Sequence, residues 1–530
     1  MEPRVRRFGR RLCPIAALAF APSASLLSEG AAEHALRPNF VLIVADDLGW
    51  ADLSSQGSRY YETPNLDRLA SEGMRFASAY AACAVCSPTR AALLTGRYPA
   101  RIGVTDWIRA RFQRGAIRAP EANPAEYVGD PSRKLLCPPN PYRMEREEVT
   151  IAEALKPLGY ATCHVGKWHL GDEAWYPDRQ GFDRNVGGCD YGQPPSYFDP
   201  YRSPALPEGI PNLEPRRKGE YLTDREADEA ARFIRENRSR PFFLYLAHYA
   251  VHTPLQAKAD VVAKYARKPK AGQSHPTYAA MVESVDDAAG AVLAALEEAG
   301  VAGRTLVAFT SDNGGLLGST NNAPLRSGKG YPYEGGIRVP LLVRWPGRIP
   351  PGSVSAEPVS SIDWFPTILE AAGAGLPEGR EIDGVSLLEH LESGGAKPLP
   401  RRSLFWHFPH YRGPDVAPYS IVRSGGWKLI RWYEGPTVEL FHLADDPSES
   451  RNLAASLPDR VRELDAELAA HLEAVGARLP RPNPAYRVEG RGAPVPPGPG
   501  GGRDRGRRPS RMRAPLLRKA TATKTDRTTE

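Results

Sequence analysis

Four short apolar runs along the chain each end abruptly in charged or hydrogen-bonding residues. Residues 40–45 give way to Asp46-Asp47, and residues 161–165 run into Gly166-Lys-Trp-His-Leu-Gly171. Residues 242–246 precede His248 and His252, and residues 305–310 stop at Ser311-Asp-Asn-Gly-Gly315. Continuous apolar runs of this length predict strands buried on both faces. Helical spacing appears between them, over 64–72 behind a Thr63 cap, 150–156, 224–236 and 278–299. Strands alternating with helices predict an α/β fold, a large mainly parallel or mixed sheet covered by helices. Ligands of such sheets bind beyond the carboxyl ends of the strands, where the polar clusters fall.

Further along, residues 403–408, 420–423, 427–432 and 437–443 read as short strands joined by turns, and 458–475 as a helix. They predict a smaller C-terminal antiparallel sheet with a helix. Gly/Pro-rich stretches at 371–384 and at Pro398-Leu-Pro400 suggest a larger domain over 36–385 and a subdomain over 400–480. A chain of 530 residues is long enough for both.

Charge changes the picture only at the ends. The net charge is +7, but residues 487–530 hold twelve Lys/Arg against four Asp/Glu, a local +8 that exceeds the whole excess. The remainder is close to neutral, so no nucleic-acid partner is implied. That Gly/Pro/Arg-rich segment reads as a disordered basic tail. At the other end, five arginines among the first eleven residues precede an apolar stretch over 12–27 that is broken by Pro14 and Pro22. It is too short to span a bilayer and reads as a signal peptide over 1–35, directing export to a periplasm or beyond. No other run predicts an integral membrane span. Cys13 falls in the leader; Cys83, Cys137, Cys163 and Cys189 allow two disulfides or none.

The densest chemistry lies in Cys86-Ser-Pro-Thr-Arg90, followed by Ala-Ala-Leu-Leu-Thr-Gly-Arg97. Pro88 suits a first helical turn, and Arg90 stands about one turn after Cys86. Thiol, guanidinium and the positive end of a helix dipole would together meet an oxyanion. A buried structural cysteine ahead of a helix fits the spacing equally well. Asp46, Asp47, Asp312 and Asn313 supply only oxygens, which suits a hard cation better than zinc. Either pair alone would be ordinary turn chemistry. Lys167 and His169, two residues apart, project to one side of an extended segment.

Cys86-Ser-Pro-Thr-Arg90 with Leu94-Thr-Gly-Arg97 resembles the signature of the formylglycine-dependent sulfatases, members of the alkaline-phosphatase-like superfamily, and Gly166-Lys-Trp-His-Leu-Gly171 resembles their second signature. Thr89 departs from the frequent Ser and leaves the Cys-x-Pro-x-Arg core intact. The resemblance extends over about 36–480, including the closing Glu439-Leu-Phe-His-Leu-Ala-Asp-Asp-Pro447. It implies that a separate maturation enzyme oxidises Cys86 to formylglycine, the nucleophile, which Arg90 holds. Calcium, or magnesium, would be bound by Asp46, Asp47, Asp312, Asn313 and the modified Cys86. Lys167 would contact sulfate, and His169 would take the proton that ejects sulfate from the sulfated intermediate. His252, in Ala250-Val-His-Thr-Pro254, and Lys329 would bind the substrate and protonate the departing alcohol, while Asp312 would help deprotonate the formylglycine diol. His248 reads as structural.

The resemblance also implies a sulfate-ester hydrolase. Residues 221–254 resemble bacterial enzymes assigned to galactose or galactosamine sulfates, pointing to an exo-acting enzyme on sulfated carbohydrate. Aryl, alkyl or choline sulfates, a phosphoester of the same superfamily, a binding-only protein and an ordinary Cys86 thiolate are the alternatives. Candidate specificity residues are Arg109, Arg111 and Arg114, the Asp190-Tyr-Gly-Gln193 stretch, and His407 with His410.

Overall fold

The apolar run over residues 40–45 lies in the middle of a nine-stranded sheet. In the computed structural model, which describes residues 1, 37–108, 122–273, 275–435 and 437–487, strand β1 (Asn39–Ala45) is buried along its whole length. β6 (Phe242–Ala247) and β7 (Thr305–Ser311) flank it, both parallel to it and both fully buried. This double-sided burial is why the sequence there shows no polar alternation. Outward from β6 follow β4 (Ala161–Gly166) and β5 (Arg184–Val186), again parallel. Outward from β7 lies β8 (Arg338–Arg344), antiparallel to both neighbours, then β2 (Met74–Tyr80), with β9 (Ser353–Ser355) and β10 (Val359–Ser360) parallel to β2. The sheet is therefore mixed and mainly parallel.

Helices Leu222–Glu236 and Pro276–Glu298 pack against each other beside it. Both begin two residues before the predicted start, and Ile151–Leu155 keeps the capping box its sequence encodes: Thr150 Oγ1 accepts from Glu153 N–H, and Glu153 Oε2 accepts from Thr150 N–H. The cap expected of Thr63 does not form. Its hydroxyl donates to Asp67 and accepts from Ser54 N–H instead, and helix Pro64–Ser71 starts on the proline.

The second sheet runs β11 (Ser403–Phe408), β12 (Tyr419–Ser424), β13 (Trp427–Trp432), β14 (Val438–His442), all antiparallel, with helix Pro458–Ala474 against β12. It belongs to the same compact unit as the large sheet. Trp406, Phe408, Tyr419 and Ile421 share a core with Tyr80, Val85 and Ile337, and Trp406 Nε1–H donates to Ala81 O at 2.7 Å. A two-residue pair, β3 (Leu135–Leu136) with β15 (Arg481–Pro482), ties the end of this region back to the larger one. All five described cysteines are free and buried, so of the two disulfide outcomes the described chain takes none. The segments read as leader (1–35, apart from residue 1) and as tail (beyond residue 487) lie outside the described residues, as do Arg109, Arg111 and Arg114. No helix among the described residues is long and apolar enough to cross a membrane.

Candidate active site

The carboxyl ends of β1, β4, β6 and β7 deliver their polar residues to one place. Hydrogen bonds continue past the strands: Asp46 N–H donates to Ala250 O, Val251 N–H to Asp46 O, Asp312 N–H to Ala45 O and Lys167 N–H to Ala247 O. Asp46 and Asp47 follow β1, Lys167 and His169 follow β4, His252 follows β6, and Asp312 and Asn313 follow β7. Asp47 (φ 64°) and His169 (φ 62°) hold left-handed backbone conformations, a strain tolerated where the surroundings fix a side chain in place.

Helix Cys86–Thr95 meets this cluster end-on. Every one of its residues is buried, no side chain caps its N-terminus, and Gly96 (φ 71°) closes it in the left-handed conformation. Cys86 Sγ lies 3.6 Å from Asp46 Oδ1. One turn on, Arg90 pairs with Asp312 through Nε at 2.9 Å and a terminal nitrogen at 2.7 Å, and donates to Lys167 O at 2.9 Å. The two other cations are matched in the same way. Lys167 Nζ is 2.6 Å from Asp46 Oδ2, and Lys329 Nζ 2.6 Å from Asp47 Oδ1.

Electrostatics divide the carboxylates. Burial, reinforced by Asp312, pushes Asp46 up to about 7 despite Lys167. Burial opposes ionisation of Asp47 too, but Lys329, His252 and Asn313 hold it well below the usual carboxylate range. Asp312 is likewise kept low against burial, chiefly by Arg90. Burial pushes the Cys86 thiol up to about 12, ahead of the opposing pull of Lys167 and Lys329. At neutral pH it is a thiol, which disfavours an ordinary thiolate nucleophile. Burial and Lys329 lower His252 to about 3, and burial with Lys167 lowers His169 far below its ordinary value, so both imidazoles are neutral. His169 Nε2 is 2.7 Å from Ile108 O and therefore carries the proton; its Nδ1 is buried with no hydrogen-bond partner.

Cys86, His169, His252 and Lys329 line a cavity of about 860 Å³. Asp190, Tyr191, Gly192 and Gln193 line it as well, and a Cβ on Gly192 would stand 2.8 Å from His169 Cε1. His407 and His410 do not line it. His407 bonds Ser420 and Arg478 O, and His410 bonds Thr105 and faces a separate cavity beside Asp106. His248, read as structural, pairs through Nδ1 with the buried Glu226 at 2.6 Å.

The sulfatase family model matches residues 38–374, and the C-terminal model of N-sulphoglucosamine sulphohydrolase matches 328–478. The chain belongs to the sulfatase family. It is similar to the N-acetylgalactosamine-6-sulfatase of Canis lupus familiaris, 36% identical over 80% of this chain and 77% of that one. It is also similar to the steryl-sulfatase of Mus musculus, 35% identical over 84% and 83%. Among solved structures, Ps i-CgsB in complex with k-i-k-neocarrahexaose matches with a TM-score of 0.70 and 32% identity, over 82% of this chain and 92% of that one. The protein is thus a sulfuric ester hydrolase with the fold of that superfamily.

This sulfatase has free ligand atoms that could hold a cation. Asp47 Oδ2 and Asn313 Oδ1 are buried with no hydrogen-bond partner, and ligand atoms of Asp46, Asp47, Cys86 and His252 lie within 4.8 Å of one another. A set of oxygens with spare lone pairs suits calcium or magnesium. Asp312 is not in that group: its Oδ2 is held by Arg90, and its Oδ1 accepts Asp47 N–H at 3.3 Å. Sequence reasoning missed two features. Ile108, whose carbonyl fixes the His169 tautomer, is invisible to motif matching because a backbone atom does the work. Arg412, on the cavity wall, sits in a loop without periodicity.

Proposed function

We propose that this sulfatase is exported and removes sulfate from carbohydrate, of the galactose or N-acetylgalactosamine sulfate type, acting at chain ends through a formylglycine made from Cys86 by a separate maturation enzyme and a calcium or magnesium ion held by Asp46, Asp47, Asp312 and Asn313. The observation that carries the reading is the meeting of Cys86 with Asp46, Asp47 and His252, whose ligand atoms lie within 4.8 Å of one another, on a cavity of sugar size that Cys86 and His252 line. The N-acetylgalactosamine-6-sulfatase relative and the oligosaccharide in the solved structure of Ps i-CgsB support the carbohydrate.

Formylglycine supplies a hydroxyl nucleophile toward sulfur, and the cation charge compensation for the sulfate oxygens. The side chains do the rest. Lys167 and Lys329 face the terminal oxygens of the ester and stabilise charge that spreads as the S–O bond lengthens. Arg90, anchored on Asp312 and Lys167 O, keeps the nucleophile's helix turn in register with the oxygen set. Lys329 donates the proton to the departing alcohol, and neutral His252, its Nδ1 turned toward Thr253 O, presents Nε2 to the site as an acceptor, 3.6 Å from Asp47. The free Nδ1 of neutral His169 accepts the proton that releases sulfate.

A second reading has its own observation. Trp107, Ile108, Pro194, Leu206 and Leu316 give the cavity apolar walls, which fit the alcohol part of an aryl or steryl sulfate, and a steryl-sulfatase is among the relatives. Turnover of galactose, N-acetylgalactosamine and glucosamine sulfates against aryl, steryl, alkyl and choline sulfates and an aryl phosphate separates the two. Saccharides as the preferred substrates are expected. Efficient cleavage of steryl or alkyl sulfate without saccharide turnover overturns the carbohydrate reading.

A further inference from the structure

The catalytic cluster pairs its cations one to one with carboxylates: Arg90 with Asp312, Lys167 with Asp46, Lys329 with Asp47. Among the described residues, the cavity wall carries one more cation, and it has no such partner. Arg412 lies in the loop between β11 and β12, and its guanidinium makes no ion pair or hydrogen bond with any described residue, Asp190 on the same cavity included. Its backbone is nonetheless fixed. Arg412 N–H donates to Val416 O at 2.9 Å, and Val416, 2% exposed, is anchored in the core shared with Trp406 and Tyr419.

The side chain is placed as firmly. It runs across the face of Gly330 (φ 86°), the residue after Lys329, and a Cβ at Gly330 would overlap Arg412 Nε. Glycine here admits the close approach, so the guanidinium is carried to the cavity beside the segment that bears Lys329. Half-burying an arginine with no acidic partner is costly unless a ligand brings the anion. The planar fork of donors matches the paired oxygens of a carboxylate or a sulfate ester.

We infer that Arg412 binds a second anionic group of the substrate, a carboxylate or a second sulfate ester, so that the preferred substrates are saccharides carrying at least two anions. The inference rests on the carbohydrate reading above and adds a specificity residue to it. The cavity, at about 860 Å³, has room for a sugar beyond the sulfate at its catalytic end.

The test compares the wild type with Arg412→Gln and Arg412→Lys on three saccharides sharing one scissile sulfate: one otherwise neutral, one with a second sulfate, and one with a neighbouring uronate. An aryl sulfate reports the intact catalytic centre, and thermal unfolding reports the fold. The wild type should prefer one of the doubly anionic sugars. Arg412→Gln should lower kcat/KM on that sugar by about 10- to 100-fold, mainly through KM, while neutral-sugar and aryl sulfate turnover stay within about 3-fold. Arg412→Lys should recover part of the preference. Loss confined to the disulfated sugar identifies a sulfate ester as the second anion; loss confined to the uronate identifies a carboxylate. An equal loss on all substrates, or none on any, overturns the inference and leaves the carbohydrate reading standing. Aryl sulfate turnover with no saccharide turnover by the wild type overturns both.

Discussion

Replacing Lys428 by Met tests whether the small sheet holds the catalytic segment in place. Lys428, on β13, is fully buried between two carboxylates, 3.0 Å from Glu334 and 2.8 Å from Glu449. Glu449 Oε2 accepts Glu334 N–H at 2.6 Å and its carbonyl accepts from Arg326 at 3.0 Å, so this charge cluster grips both ends of the stretch that carries Lys329. Removing one partner of a buried ion pair costs about 3–5 kcal/mol, because the charges left behind are neither solvated nor compensated. Glu334 retains Arg338 at 3.6 Å; Glu449 has no second cation at ion-pair distance among the described residues. Burial, with Glu334 beside it, pushes Glu449 up to about 7 from an ordinary 4.5 even with Lys428 present. A raised carboxyl stabilises the fold when protonated, so its contribution is full below pH 4.5 and is lost as pH rises through about 7. Without Lys428 the carboxyl stays protonated to higher pH. The penalty of Lys428→Met should therefore be smallest near pH 5 and grow by about 1 kcal/mol between pH 7 and 8, where the wild-type carboxyl is already losing its proton and the variant's is not. Urea unfolding at both pH values measures it, and sulfate-ester turnover should fall with it. Adding Glu449→Gln should restore at least half of the lost stability. A loss below about 1 kcal/mol, or one independent of pH, would refute the reasoning.

Two further outcomes follow from the site. Chelation should abolish turnover and Ca²⁺ or Mg²⁺ should restore it; at a hundredfold excess over its dissociation constant the ion should stabilise the wild type by about 2.7 kcal/mol, a gain that Asp46→Ala should lack when unfolding is followed with and without metal. Gly192→Ala should push the His169 ring aside, lowering kcat at least tenfold while urea unfolding changes by less than about 1 kcal/mol; unchanged kcat would remove His169 from the chemistry.

The strands that frame the site were readable because they are buried on both faces. Residues 40–45, 161–165, 242–246 and 305–310 carry no Asp, Glu, Lys or Arg, and each ends where the carboxyl end of a strand exposes its chemistry. β2 was harder, since Met74-Arg-Phe-Ala-Ser-Ala-Tyr80 mixes polar and apolar residues on a strand that is buried only in part. Thr63 looked like a cap by type and lost its hydroxyl to Ser54 and Asp67, a tertiary competition that no local pattern records. The site followed the same rule. Cys86, Arg90 and the Asp-Asp and Asp-Asn pairs sit in contiguous strings whose spacing has a physical meaning. His407 and His410 shared the residue type of a site and nothing else, and their hydrogen bonds turn them to Ser420 and Thr105. Arg412 is the reverse case, marked by the partner it lacks and by the glycine that admits it.

The most direct measurement of the central claim is peptide mass spectrometry across Cys86 in a preparation whose aryl sulfate turnover has been determined. The account predicts that the fraction of Cys86 converted from thiol to aldehyde tracks the specific activity from one preparation to the next, and that Cys86→Ala folds without turning over. Full activity in a preparation whose Cys86 is entirely thiol would contradict it.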